Sequence, residues 1–157
     1  MRKGILAALA SVALVLSIAA CDSSKAAPVP TPPGAACLTI TTPAPNAQIN
    51  GPKGTVVKGC APANIRVLVF DHDLGEQRYY YDTSTFADAT GAYSTTDDGI
   101  GDPKDPSGLA YEIVVKADTL NCYEQNKDQF EGKGDRVFGS LPCPGSPQVS
   151  VEIVVNQ

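Results

Sequence analysis

The sequence predicts an all-β fold, an antiparallel β-sandwich of about seven short strands with one long loop before the last. Three observations predict it. Two long runs alternate strictly: Leu109, Tyr111, Ile113, Val115 and Ala117, then Val149, Val151, Ile153 and Val155. A period of two, rich in β-branched and aromatic residues, marks half-buried strands. Turn signals of glycine, proline and aspartate separate the runs, and no window after the first 20 residues holds a helical stripe. Short strands with turns between them bury their apolar faces by packing as two sheets.

The strands follow in order. Leu38 and Ile40 alternate in the first; Thr42-Pro43-Ala44-Pro45-Asn46 interrupts it, and Ala47-Gln48-Ile49 resumes it. Thr55 to Cys60 forms the second, after the turn signals Gly51, Pro52 and Gly54. In the third, Ile65, Val67 and Val69 line one face while Leu68 and Phe70 line the other. Tyr79-Tyr80-Tyr81 begins a fourth, and Ala92 to Thr95 follows the turn at Asp88-Ala89-Thr90-Gly91. The two long alternating runs complete the set. Thr119 to Pro147 lies between them and is too long for a plain hairpin loop.

Residues 1–20 have a different character. Arg2 and Lys3 precede an apolar run from Ile5 to Ile18, and Ile18-Ala19-Ala20-Cys21 follows. The run is shorter than the roughly 20 residues of a membrane span. A charged start, a short apolar stretch and small residues at a cut site mark an export signal. The tetrapeptide resembles a bacterial lipobox. That resemblance implies that Cys21 takes a diacylglycerol, that residues 1–20 are a lipoprotein signal peptide, and that the chain works at the cell membrane on its extracytoplasmic side. Several acyl chains anchor stably where one does not. Residues 21–36 then read as the lipidated cysteine and a proline-rich linker. Pro28, Pro30, Pro32 and Pro33 favour extended polyproline II. Asp22 resembles an inner-membrane retention signal of enteric bacteria.

Residues 37–157 form one domain, long enough to bury a core and small enough to profit from cross-links. The chain carries 12 basic and 17 acidic residues, a net −5. Loss of Arg2 and Lys3 with the signal leaves 10 basic residues and a net −7. Such a domain has no electrostatic footprint for nucleic acid or anionic headgroups. Besides Cys21 there are four cysteines, Cys37, Cys60, Cys122 and Cys143. An even set in an exported domain reads as two disulfides with three possible pairings. A zinc site is disfavoured by the single histidine and the lack of a C-x-x-C pair.

Three segments resemble bacterial immunoglobulin-like domains: Ile40-Thr41-Thr42-Pro43-Ala44-Pro45-Asn46-Ala47, Val56-Val57-Lys58-Gly59-Cys60-Ala61, and Ala87-Asp88-Ala89-Thr90-Gly91-Ala92-Tyr93-Ser94. Gly108-Leu109-Ala110-Tyr111-Glu112-Ile113 fits the same pattern. Asp88 to Ser94 is equally similar to transthyretin-like sandwiches. The resemblance implies an Ig-like sandwich over residues 37–157, and fold alone names no function. In that topology Cys37 opens the first strand and Cys60 closes the second, so the two should meet. Cys122 ends the long Leu109 strand and Cys143 precedes the last strand, so these should staple the base of the long loop. Each bridge then closes a loop of about twenty residues and contributes about 3 kcal/mol.

Candidate chemistry is sparse. His72, in Asp71-His72-Asp73, is the one histidine and the only candidate general base for a hydrolase. A bland alternative is a turn residue after a strand. Asp97, Asp98, Asp102 and Asp105 sit in a Gly/Pro-rich loop that offers oxygens suited to a structural calcium ion; otherwise no cofactor is expected. Tyr79 and Tyr81 share a strand face and are candidate sugar-stacking rings, although strand propensity explains tyrosines without a ligand. Tyr111 is a candidate tyrosine-corner residue. In the long loop, Tyr123, Phe130, Arg136 and Phe138 are the candidate partner anchors. The leading expectation is a non-enzymatic, lipid-anchored module binding an envelope protein or polysaccharide. Alternatives are an inhibitor of an envelope enzyme and a hydrolase using His72.

Overall fold

A computed structural model describes residues 37–132 and 136–157. The signal peptide, Cys21 and the proline-rich linker lie outside the described residues. Among the described residues nine strands form: β1 (Thr39–Thr42), β2 (Ala47–Asn50), β3 (Val56–Cys60), β4 (Arg66–Asp73), β5 (Arg78–Phe86), β6 (Ala92–Thr96), β7 (Leu109–Ala117), β8 (Val137–Phe138) and β9 (Gln148–Asn156). Two short helices, α1 (Cys122–Gln125) and α2 (Lys127–Glu131), lie between β7 and β8. One sheet has the order β1-β3-β6 and the other β2-β9-β7-β4-β5-β8. All pairs are antiparallel except β2 with β9, which run parallel.

The main core fills the space between the sheets. Val57 of β3 and Tyr93 of β6 face Val67 and Val69 of β4, Ile113 and Val115 of β7, and Ile153 and Val155 of β9. These are the residues of one parity along each strand, as alternation requires. A second core covers the opposite face of the large sheet. Leu68 and Phe70 of β4, Tyr81 of β5 and Val114 of β7 pack there against Cys122, Tyr123, Phe130 and Cys143. The large sheet is therefore covered on both faces at its centre. That explains why β4 reads Val67-Leu68-Val69-Phe70 without alternation, since a strand buried on both sides needs apolar residues at every position.

The four cysteines pair as Cys37–Cys60 and Cys122–Cys143, with Cα separations of 5.7 and 5.5 Å. The first ties the chain ahead of β1 to the end of β3. The second ties α1 to the chain ahead of β9.

The structure departs from the expected count of about seven strands in two places. The stretch Ala47–Asn50 does not resume β1 in its own sheet; it crosses to the large sheet and pairs with β9. Val137–Phe138 adds a short edge strand on β5. The segment after β7 also holds helices where none was expected. Asp118 starts them: its carboxylate accepts from the backbone N–H groups of Cys122 at 2.6 Å and Tyr123 at 3.0 Å. Helices of four and five residues are too short to leave a periodic stripe in sequence.

Candidate functional site

Asp71 of β4, Asp82 of β5 and Asp97, just after β6, meet in a buried cluster. Asp71 has the parity of Val67 and Val69 on β4, so it points into the space between the sheets. The β4–β5 register shifts between Val69 and Phe70, which oppose Thr83 and Tyr81, and leaves Asp82 as the inserted residue of a β-bulge. Bulges re-aim side chains, and this one brings Asp82 to Asp71. Asp97 follows β6 of the small sheet. Its N–H donates to Thr55 O at 2.9 Å, and its Oδ1 accepts from Gly99 N–H at 2.8 Å. Asp98 N–H donates to Asp82 Oδ1 at 3.1 Å.

The three residues are 5 %, 8 % and 0 % exposed, in the order Asp71, Asp82, Asp97. One carboxylate oxygen of each lies within 4.8 Å of the others. Asp71 Oδ1, Asp82 Oδ2 and Asp97 Oδ2 accept no hydrogen bond from an N–H or hydroxyl donor among the described residues. Burial raises the Asp71 carboxyl well above its ordinary value, and repulsion from Asp97 and Asp82 adds to this. Burial and the Asp97 charge push Asp82 up to about 7, against the opposing pull of the Asp98 N–H and Arg136. Asp97 is raised by burial, and the Gly99 N–H offsets part of the shift. Three like charges so close in a poorly solvated site disfavour full ionisation.

Two clefts flank this cluster. One, of about 510 Å³, is lined by Asp71, Asp73, Glu76, Asp102 and Asp105 together with Tyr80 and Tyr111. The other, of about 470 Å³, reaches Asp71 and Asp82 from the side of Arg78 and Arg136. Tyr80 borders both. In the first cleft the Tyr111 hydroxyl donates to Asp73 Oδ2 at 3.2 Å and Asp105 Oδ2 at 3.3 Å, joining β4 to the loop. This is a carboxylate contact and not the backbone bond of a tyrosine corner. The hydroxyl that reaches back to backbone is that of Tyr93, which donates to Thr39 O at 2.9 Å.

The structure divides the four calcium candidates. Asp97 enters the buried cluster with Asp71 and Asp82. Asp98 is exposed and contributes its backbone N–H. Asp102 and Asp105 close their own turn: Asp102 N–H donates to Asp105 Oδ2 at 2.8 Å, and Lys104 N–H donates to Asp102 Oδ1 at 2.9 Å. Sequence reasoning missed Asp71 and Asp82 as members of one cluster. A signal was present for Asp71, a carboxylate at the third position of the Val67, Val69 face. Asp82 carried none, because only the bulge turns it inward.

His72 points away from this cluster, to the other face of β4. It is 7 % exposed, its Nδ1 lies 2.9 Å from Glu112 Oε2, and its ring stacks on Tyr79 with centroids 4.0 Å apart. Ser150 Oγ donates to Glu112 Oε1 at 3.2 Å. The carboxylate thus sits between the histidine and the serine, whereas a hydrolase triad needs the imidazole between acid and nucleophile. Tyr79 is held by this stack, and Tyr81 is buried in the second core, so the two do not form a sugar platform.

Of the four candidate partner anchors, Tyr123 and Phe130 are buried, and Arg136 and Phe138 are half-buried. Tyr123 and Phe130 are 6 % and 0 % exposed, and Phe138 packs against them half-buried. Arg136 lies over the Tyr81 ring, 5.5 Å from its centroid, and donates to Asp82 O at 3.2 Å. The physical reason is the apolar outer face of the large sheet, which these aromatics cover. No protein-family profile matches the chain, and no curated protein matches it in sequence.

Proposed function

We propose that this chain is a non-enzymatic, lipid-anchored binding module of the cell envelope, an Ig-like sandwich whose ligand surface is the acidic cleft at the end of β4. The lipobox-like Ile18-Ala19-Ala20-Cys21 supports the anchor. Two disulfides suit an oxidising, extracytoplasmic compartment. The strand order supports the Ig-like reading. The order β1-β3-β6 matches one Ig sheet, and β9-β7-β4-β5 matches the other with the first strand split between them; β8 is an addition.

The observation that carries the reading is the cleft of about 510 Å³, whose lining includes Asp73, Glu76, Asp102 and Asp105 together with Tyr80. Concave sites with convergent polar groups are where ligands bind. Four peripheral carboxylates select a basic partner, and the favoured ligand is a lysine- or arginine-bearing segment of an envelope protein. The test is in-situ cross-linking of the tethered full chain, comparing the parent with Glu76→Lys/Tyr80→Ala. The reading expects a recurrent partner that is lost with the cleft variant and kept with the distant Lys127→Glu. The same partner captured by both variants contradicts it. So does a hydrolytic activity that disappears with His72→Ala.

A further inference from the structure

We propose that Asp71, Asp82 and Asp97 together bind one hard divalent cation, calcium by preference, which bridges the two sheets. The site goes beyond the acidic cleft and does not depend on what that cleft holds. The donor set is oxygen alone. Carboxylates without imidazole or thiolate suit calcium, magnesium or manganese and not zinc or copper. The residues come from three backbone segments, the middle of β4, the bulge of β5 and the end of β6, and a cation among them ties the large sheet to the small one.

The orphaned oxygens point to a ligand independently of the clustering. Asp71 Oδ1, Asp82 Oδ2 and Asp97 Oδ2 belong to side chains more than nine-tenths buried, and none accepts a hydrogen bond from an N–H or hydroxyl donor among the described residues; Asp71 and Asp97 face each other carboxyl to carboxyl. Buried charged groups are ordinarily paired or coordinate a metal. The second oxygens of Asp82 and Asp97 are held by the N–H groups of Asp98 and Gly99, which fixes the free oxygens in direction. Such outer partners commonly orient metal ligands.

Size and access fit as well. One carboxylate oxygen of each residue lies within 4.8 Å of the others, and two calcium–oxygen bonds of about 2.4 Å span at most about 4.8 Å. Calcium takes six to eight oxygens, so water must complete the shell. Asp71 lines both clefts and Asp82 lines the second, and water reaches the two carboxylates from there. Three carboxylates and one divalent ion leave a single negative charge, with Arg136 nearby at Asp82 O. The competing arrangement is a carboxyl–carboxylate pair that shares a proton and binds no ion.

The test uses the full chain in detergent micelles, first stripped with a chelator. Titration calorimetry and thermal unfolding are run with calcium and with magnesium. Calcium at about a hundred times its dissociation constant should raise the unfolding midpoint by about 10 °C. Asp82→Asn should lose that rise, yet in chelator melt no lower than the parent, because one like charge has left the cluster. Asp71→Asn should do the same, and Asp102→Asn/Asp105→Asn should keep the rise. A parent that binds neither ion at about 10 mM, some tenfold above the roughly 1 mM weak end for extracellular modules, overturns the proposal. A rise that survives Asp82→Asn and Asp71→Asn but vanishes with Asp102→Asn/Asp105→Asn overturns it too, and places the ion on the exposed loop. Binding of magnesium in preference to calcium rejects the calcium assignment.

Discussion

Phe130→Ala tests whether the segment after β7 is a second core or a contact surface. Phe130 is fully buried, with ring centroids 4.7 Å from Tyr81, 5.6 Å from Tyr123, 5.8 Å from Phe138 and 6.1 Å from Phe70. Truncation removes the central ring of that group. The Cys122–Cys143 bridge and the two β8 pairs hold the surrounding chain, so the void collapses only in part. Loss of a buried phenylalanine costs about 3–5 kcal/mol, a large share of the roughly 5–15 kcal/mol that stabilises a domain of this size. With a urea slope of about 1.5 kcal/mol/M, the midpoint should fall by about 2–3 M. Urea unfolding followed by far-UV circular dichroism measures it. Leu120→Ala is the control, since Leu120 is 54 % exposed, and a surface change should stay within about 0.5 kcal/mol. A Phe130→Ala loss below about 1 kcal/mol, with a partner interaction abolished, would refute the second core and restore the loop as a docking surface.

Two further outcomes are expected. Asp118→Ala removes the acceptor of the Cys122 and Tyr123 N–H groups and should cost about 1–2 kcal/mol, recovered in part by Asp118→Asn; equal stability of the alanine variant and the parent would dismiss the capping role. In chelator, the raised carboxyls of Asp71, Asp82 and Asp97 set a pH dependence together with the neighbouring Asp98 and Arg136. A group whose folded value is raised contributes stability that is fully present below its unfolded value and lost as pH rises through the folded one. Stability should therefore fall from about pH 4 through about 7, the Asp82 value, and the melting midpoint should be lower at pH 8 than at pH 5. A midpoint that is flat or rises over that interval contradicts the cluster's electrostatics.

The strands were legible because alternation is a local signal. Leu109–Ala117 and Gln148–Asn156 emerge within a residue of where the period-2 runs placed them. The Cys37–Cys60 pair was legible because it brackets the neighbouring strands β1 and β3; the Cys122–Cys143 pair forms as expected although Cys122 opens α1, five residues past the end of β7 at Ala117, and does not end that strand. The second core was not legible, since Tyr123 and Phe130 look like exposed loop aromatics until Leu68 and Phe70 are seen to need a cover. The candidate site was half visible. Asp97 stands out in sequence by its acidic neighbours, yet its partners in space stand 26 and 15 positions earlier in the chain, on β4 and β5. Nothing local connects residues that only the sheet register and a bulge bring together. His72 drew notice as a lone histidine and proved to be a buried group fixed by Glu112 and Tyr79.

The most direct measurement is a crystal structure of the protein grown with calcium, with the ion located by its anomalous signal. The account predicts one ion among Asp71, Asp82 and Asp97, at about 2.3–2.6 Å from an oxygen of each. A short Asp71–Asp97 carboxyl contact without an ion between them, or calcium held only by Asp102 and Asp105, would contradict it.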